Sequence, residues 1–157
     1  MHMQKLLIIP QNWLGDIVMS QTLLKRGKLE NPDTKIDILV NSTFKSLVER
    51  MPEINKAIIL DCGHKELEIF KRLNLAKKIK GSYDQSIVLS RSIKSALIPY
   101  LARIPIRTGE LGESRYVLIN DLRMTSKEDR RKAAFRYVSM FPTKEKALDA
   151  KYYPSLK

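Results

Sequence analysis

Asp16 is the residue of this sequence best placed for acid–base chemistry. It follows Gly15 in the turn Pro10-Gln11-Asn12-Trp13-Leu14-Gly15-Asp16, between the apolar run Lys5 to Pro10 and a helical pattern that starts at Ile17. In an open α/β sheet ligands bind beyond the carboxyl ends of the strands. A carboxylate at such a strand-to-helix switch therefore meets a substrate and can take a proton from a hydroxyl. Gly15 is expected to allow a tight backbone path there. An Asp at a helix start also serves as an ordinary N-cap, and the turn alone leaves both roles open.

Binding candidates sit at two later turns. Ser92, Lys94 and Ser95 open a helical pattern after the apolar run Ser86 to Leu89, so their donors point to the same sheet edge, where Lys94 suits a phosphate or carboxylate. The same pattern is met by an N-capped helix with an exposed lysine. Arg115 lies in a loop with Gly109 and Gly112, beside Tyr116. A guanidinium there can bind an anionic group through two parallel hydrogen bonds or close a structural ion pair. Arg107, at the start of that loop, is a weaker candidate of the same kind that can also only solvate a strand edge, and Trp13 either stacks on a sugar or packs its loop onto the domain. His64, after Gly63, reads as a solvated histidine, and Arg130-Arg131-Lys132 as a solvated helix face or a contact with an anionic leaflet. With Cys62 as the sole cysteine and His2 and His64 the only histidines, no disulfide and no Cys/His zinc cluster is expected.

The elements that position these residues follow from periodicity. Short apolar runs at Lys5 to Pro10, Ile36 to Val40, Ala57 to Leu60 and Ser86 to Leu89 read as buried strands, with a shorter run at Val117 to Ile119. Between them lie helix candidates at Ile17 to Leu29, Phe44 to Met51, Glu66 to Ile79 and Ile93 to Ala102, and a basic helix at 127–140 closes the pattern. Strands alternating with helices predict an α/β fold, a Rossmann-like parallel sheet flanked by helices. The 157 residues fit one domain, expected over 1–142, and the polar stretch 143–157 reads as a linker to a further domain. A formal charge of +12 favours anionic partners. The absence of a long apolar run and of a leader pattern predicts a cytoplasmic location, with peripheral contact at an anionic membrane face open.

Several segments occur in the order of a known family. They are Asn12-Trp13-Leu14-Gly15-Asp16-Ile17-Val18-Met19-Ser20-Gln21 after Leu7-Ile8-Ile9-Pro10, Met51-Pro52-Glu53-Ile54, Leu67-Glu68, Tyr83-Asp84, Ser92-Ile93-Lys94-Ser95-Ala96-Leu97-Ile98-Pro99, Ile104-Pro105-Ile106-Arg107-Thr108-Gly109, Gly112-Glu113-Ser114-Arg115-Tyr116 and Leu118-Ile119-Asn120-Asp121. The sequence thereby resembles the N-terminal half of bacterial ADP-heptose:lipopolysaccharide heptosyltransferases, most closely those of the heptosyltransferase II type. It departs from the family's Asn-Ser-x-Lys-Ser pattern at Arg91.

The resemblance implies the acceptor-binding half of a GT-B glycosyltransferase, inverting and metal-independent, that needs no cofactor. It implies Asp16 as the base. Ser92, Lys94, Ser95, Arg107, Arg115 and Trp13 would then contact a phosphorylated lipopolysaccharide core acceptor, with Gly15, Gly109 and Gly112 shaping the loops. ADP-heptose, the donor substrate, would bind mainly through a C-terminal domain, and this half is expected to be inactive alone. Proton transfer is expected late, after positive charge has built up at the sugar, with Asp16 first orienting the hydroxyl. The competing reading is a non-catalytic remnant or module that binds glycolipid or protein. A nucleic-acid-binding domain would use the same charge but leaves the Gly15-Asp16 turn unexplained, so no nucleic-acid partner is expected.

Overall fold

The computed structural model of the protein describes residues 5–63, 68–110, 112–113, 115–124, 133–138, 140 and 154–155. His64, the Arg130-Arg131-Lys132 cluster and the expected domain boundary at 142 lie outside them.

Six parallel strands form one sheet in the order β3-β2-β1-β4-β5-β6. β1 is Lys5–Ile9, β2 Lys35–Val40, β3 Ile54–Ile59, β4 Gln85–Val88, β5 Ile106–Gly109 and β6 Asp121–Leu122. The helices are α1 (Leu14–Glu30), a 3-10 turn Ser42–Phe44 running into α2 (Lys45–Val48), α3 (Ile69–Ile79), α4 (Ile93–Leu101) and α5 (Ala133–Val138). Side chains alternate across a strand, and β1 divides its run accordingly. Leu6 and Ile8 join Ile17, Leu23, Leu24 and Tyr137 in one core, on the side of α1 and α5. Leu7 and Ile9 join Ala76, Ile79, Ala96 and Ile98 in a second core, under α3 and α4. Burial on both faces is why β1 reads as an unbroken apolar run.

The chain runs outward from β1 to β3 on one side and returns through β4 to β6 on the other. The order reverses between β1 and β4, and the crevice at that reversal, beyond the carboxyl ends of the strands, is where such sheets bind ligands.

Three local expectations are corrected. Residues 107–109, read from sequence as the start of the loop with two glycines, belong instead to strand β5, of which Gly109 is the last residue. The strand after it is Asp121–Leu122, whereas 117–119 form a turn tied back to Arg115 O. The helix expected over 44–51 is a single turn preceded by a 3-10 turn: the Asn41 side chain accepts from Thr43 N and starts the turn early, and Arg50 N and Met51 N bond the carbonyls three residues back, which ends the helix.

Candidate active site at the carboxyl edge of the sheet

The loop after β1 ends at Trp13, whose extended backbone starts α1 with no side-chain cap. Asp16 is thus the third residue of the helix, inside its first turn and not before it. Its Oδ1 accepts a 2.6 Å hydrogen bond from the Tyr137 hydroxyl of α5. Burial, and then the bond to this carboxylate, push the Tyr137 phenol well above its ordinary pKa, so it remains a neutral donor. Gly15 has ordinary backbone geometry and open space where a Cβ would stand. The tight path expected of it is therefore not required.

Beside this turn lies an open groove of about 590 Å³, bounded by the ends of β1, β2 and β4 and by the loop after β5. Trp13, 63% exposed, stands on its rim, and Ser92, Lys94 and Ser95 line it. Ser92 caps α4, its hydroxyl accepting from Ser95 N and lying 2.9 Å from the Ser95 hydroxyl. A second helix-end donor, Ile93 N, is occupied by Glu113 Oε2 at 2.7 Å. Asp16 is not among the lining residues of the groove; it sits past the Trp13 rim, on the α5 side.

Arg72 was not anticipated. Its guanidinium is buried under the groove and donates to Lys94 O at 3.1 Å, joining α3 to α4. The signal was available: Arg72 shares the i, i+4, i+7 stripe of Ala76 and Ile79, the buried face of α3. Cys62 also lines the groove, and burial followed by its bond to Glu68 raises its thiol pKa, keeping it protonated.

The structure gives Arg115 a different task from the acceptor contact expected of it. Its side chain is 1% exposed. It donates to Ser90 O, Ser92 O and Glu110 O, with the first two at 2.7 and 3.0 Å, and burial lowers its pKa from the usual arginine value. Three carbonyls from two segments are bound by one cation, which fastens the loop after β5 to the end of β4. Gly112 completes that fastening: a Cβ there would stand 2.7 Å from Arg91 O. Arg107 is likewise structural, donating to Ile104 O and Leu118 O and lying over the Tyr100 ring. Gly109 is packed against Ile119 and Val88 O within the sheet, so it too is no binding-loop residue.

Glu110, buried at the end of β5, binds Arg136 of α5 at 2.8 Å. Arg136 also reaches Leu89 O, and the neighbouring Tyr137 reaches Asp16. Consecutive residues of α5 thus dock the helix at two points of the same sheet edge. No group of three or more His, Cys, Asp or Glu side chains among the described residues could hold a metal ion. No described helix is long and apolar enough to cross a membrane.

Comparison with known proteins gives this architecture a context. The model of glycosyltransferase family 9 (heptosyltransferase) matches residues 72–156, more than half of the chain. The chain is 43% identical to lipooligosaccharide heptosyltransferase 2 of Haemophilus ducreyi over 136 residues, 87% of this chain and 39% of that protein. It is 41% identical over 152 residues to the Haemophilus influenzae protein of the same name, covering 97% and 44%. The chain therefore spans less than half the length of these relatives. The structure of Escherichia coli ADP-heptose lps heptosyltransferase II superposes with a TM-score of 0.83 at 34% identity, over 98% of this chain and 46% of that one. An Escherichia coli heptosyltransferase solved with ADP-2-deoxy-2-fluoro heptose shares the fold, with a TM-score of 0.70 at 16% identity, over 87% of this chain and 47% of that one.

Proposed function

The chain belongs to glycosyltransferase family 9 (heptosyltransferase), and on that premise we propose that it is the acceptor-binding half of a lipopolysaccharide inner-core heptosyltransferase. Residues 1–142 form the acceptor domain, and 143–157 lead toward the half that holds ADP-heptose. The observation that carries the reading is the Asp16 carboxylate, held at the first turn of α1 beside a groove at the sheet's reversal point.

In this reaction the acceptor hydroxyl attacks the anomeric carbon of the donor sugar. The bond from that carbon to the diphosphate breaks, ADP leaves with its electron pair, and configuration inverts. Asp16 orients the hydroxyl and receives its proton as positive charge builds on the sugar ring. Lys94, with the Ser92 and Ser95 hydroxyls, meets a phosphate or carboxylate of the core, and Trp13 offers a sugar-sized apolar face at the rim. The net charge of +12 draws an anionic glycolipid to the protein and supports work at the cytoplasmic face of the inner membrane. The reaction proceeds without a metal ion.

An assay of ADP release and heptose incorporation, run in chelator with and without a donor-binding half, tests this. Negligible transfer is expected from the 157 residues alone, because positioning of both reactants contributes several kcal/mol to lowering the barrier. Transfer is expected when the second half is supplied. Failure of the joined halves to transfer heptose, or robust turnover by this chain alone, contradicts the reading.

A further inference from the structure

We propose that Tyr137 is a positioning residue for the Asp16 carboxylate, fixing one oxygen so that the other faces the acceptor hydroxyl. The inference rests on the reading of Asp16 as the base, and it gives α5 a part in the reaction. The Tyr137 side chain is fully buried in the core that also contains Ile17 and Leu24, so its ring has one orientation available. Its hydroxyl lies 2.6 Å from Asp16 Oδ1, across 121 residues of sequence. Among the described residues, the Asp16 carboxylate makes no other hydrogen bond. Oδ2 is thus the oxygen left for a substrate proton.

The phenol is held in place from behind. Arg136, the preceding residue, lies 5.8 Å over the Tyr137 ring and bonds Glu110 Oε2 at 2.8 and 2.9 Å through two of its nitrogens. Glu110 is buried at the end of β5, and its own backbone carbonyl is bound by Arg115. A rigid sheet edge therefore sets the position of Arg136, Arg136 sets α5, and α5 sets the donor that orients Asp16. Side chains that act on a reacting centre are effective only when their own neighbours lock them. A carboxylate in a helix's first turn, free to rotate about its χ angles, would lack such a lock.

Tyr137→Phe removes one oxygen and leaves the ring. Two measurements decide the role. In the 157-residue chain, scalar couplings about the Asp16 Cα–Cβ bond should report a single rotamer, and averaged couplings in the Phe variant. In the protein joined to a donor-binding half, the variant should lower kcat roughly tenfold or more with acceptor KM within about twofold, the cost of a misaligned reacting group. The substitution should have no further effect in an Asp16→Asn background, and a cooperative melt shows that the variant is folded. Unchanged rotamer couplings overturn the proposal, as does an unchanged kcat in a variant whose parent turns over. Absence of turnover in the parent counts against the proposed function and leaves the coupling measurement to judge Tyr137.

Discussion

The loops that follow β1 and β5 look alike in sequence and do opposite work. Each leads to a glycine next to an acidic residue, Gly15-Asp16 in the first turn of α1 just past the first loop and Gly112-Glu113 within the second, and each lies at the carboxyl edge of the sheet. The loop after β1 and the first turn of α1 are open: Trp13 and Leu14 are exposed, nothing stands where a Gly15 side chain would go, and the Asp16 carboxylate has one bond among the described residues. The loop after β5 is closed on the protein itself. Gly112 presses on Arg91, the Glu113 carboxylate fills the end of α4, and Arg115 binds three carbonyls. An arginine buried among carbonyls is a fastener, whereas Lys94 stands on the wall of the groove. Side-chain type alone does not separate these cases.

The largest expected effect that tests this contrast is at Asp16. Asp16→Asn keeps the shape and removes the charge, and should lower transfer about a hundred- to ten-thousand-fold in the joined enzyme while leaving the melting temperature nearly unchanged. Undiminished transfer would remove the assignment of the base. Arg115→Met should do the reverse. Removing the cation that binds three carbonyls at the sheet edge costs on the order of 3 kcal/mol, a fall in melting temperature of roughly 6 to 12 °C for a domain of this size. A thermal melt that barely moves would show that the loop after β5 does not depend on its cation.

A smaller contrast comes from the two glycines. Gly112→Ala pushes a methyl group into the Arg91 backbone and should destabilise by about 1 to 3 kcal/mol, as overpacking does. Gly15→Ala adds a methyl group in open space within a helix and should stabilise by up to about 1 kcal/mol. Denaturant melts of the two variants check the signs, and equal effects would erase the distinction between open and closed loops.

How far the sequence revealed this molecule depended on whether a residue's partners were local. β1, β2 and β4 were legible because strands buried on both faces read as mostly apolar runs, unbroken in β1 and interrupted only by Asp37 in β2 and by Gln85 and Ser86 at the start of β4. β5 was hidden by Arg107 and Thr108, which look like loop residues. Within the sheet the first is satisfied by Ile104 O and Leu118 O, and the second by Gln85 and Asp121. Ser92 as a helix cap was readable from its position alone. The role of Arg115 was not, since its three acceptors come from two different segments. Tyr137 was beyond reach for the same reason: its partner lies at the opposite end of the chain, and no spacing rule joins them.

Isothermal titration of the 157-residue chain with two ligands decides whether these residues form an acceptor-binding half. A phosphorylated inner-core oligosaccharide should bind saturably, more weakly as salt rises because exposed charges are screened beyond about 8 to 10 Å. Lys94→Gln should weaken that binding about fivefold, the scale of one exposed charge contact. ADP-heptose should give no comparable heat. Tight binding of ADP-heptose by this chain, with none of the core oligosaccharide, would contradict the account.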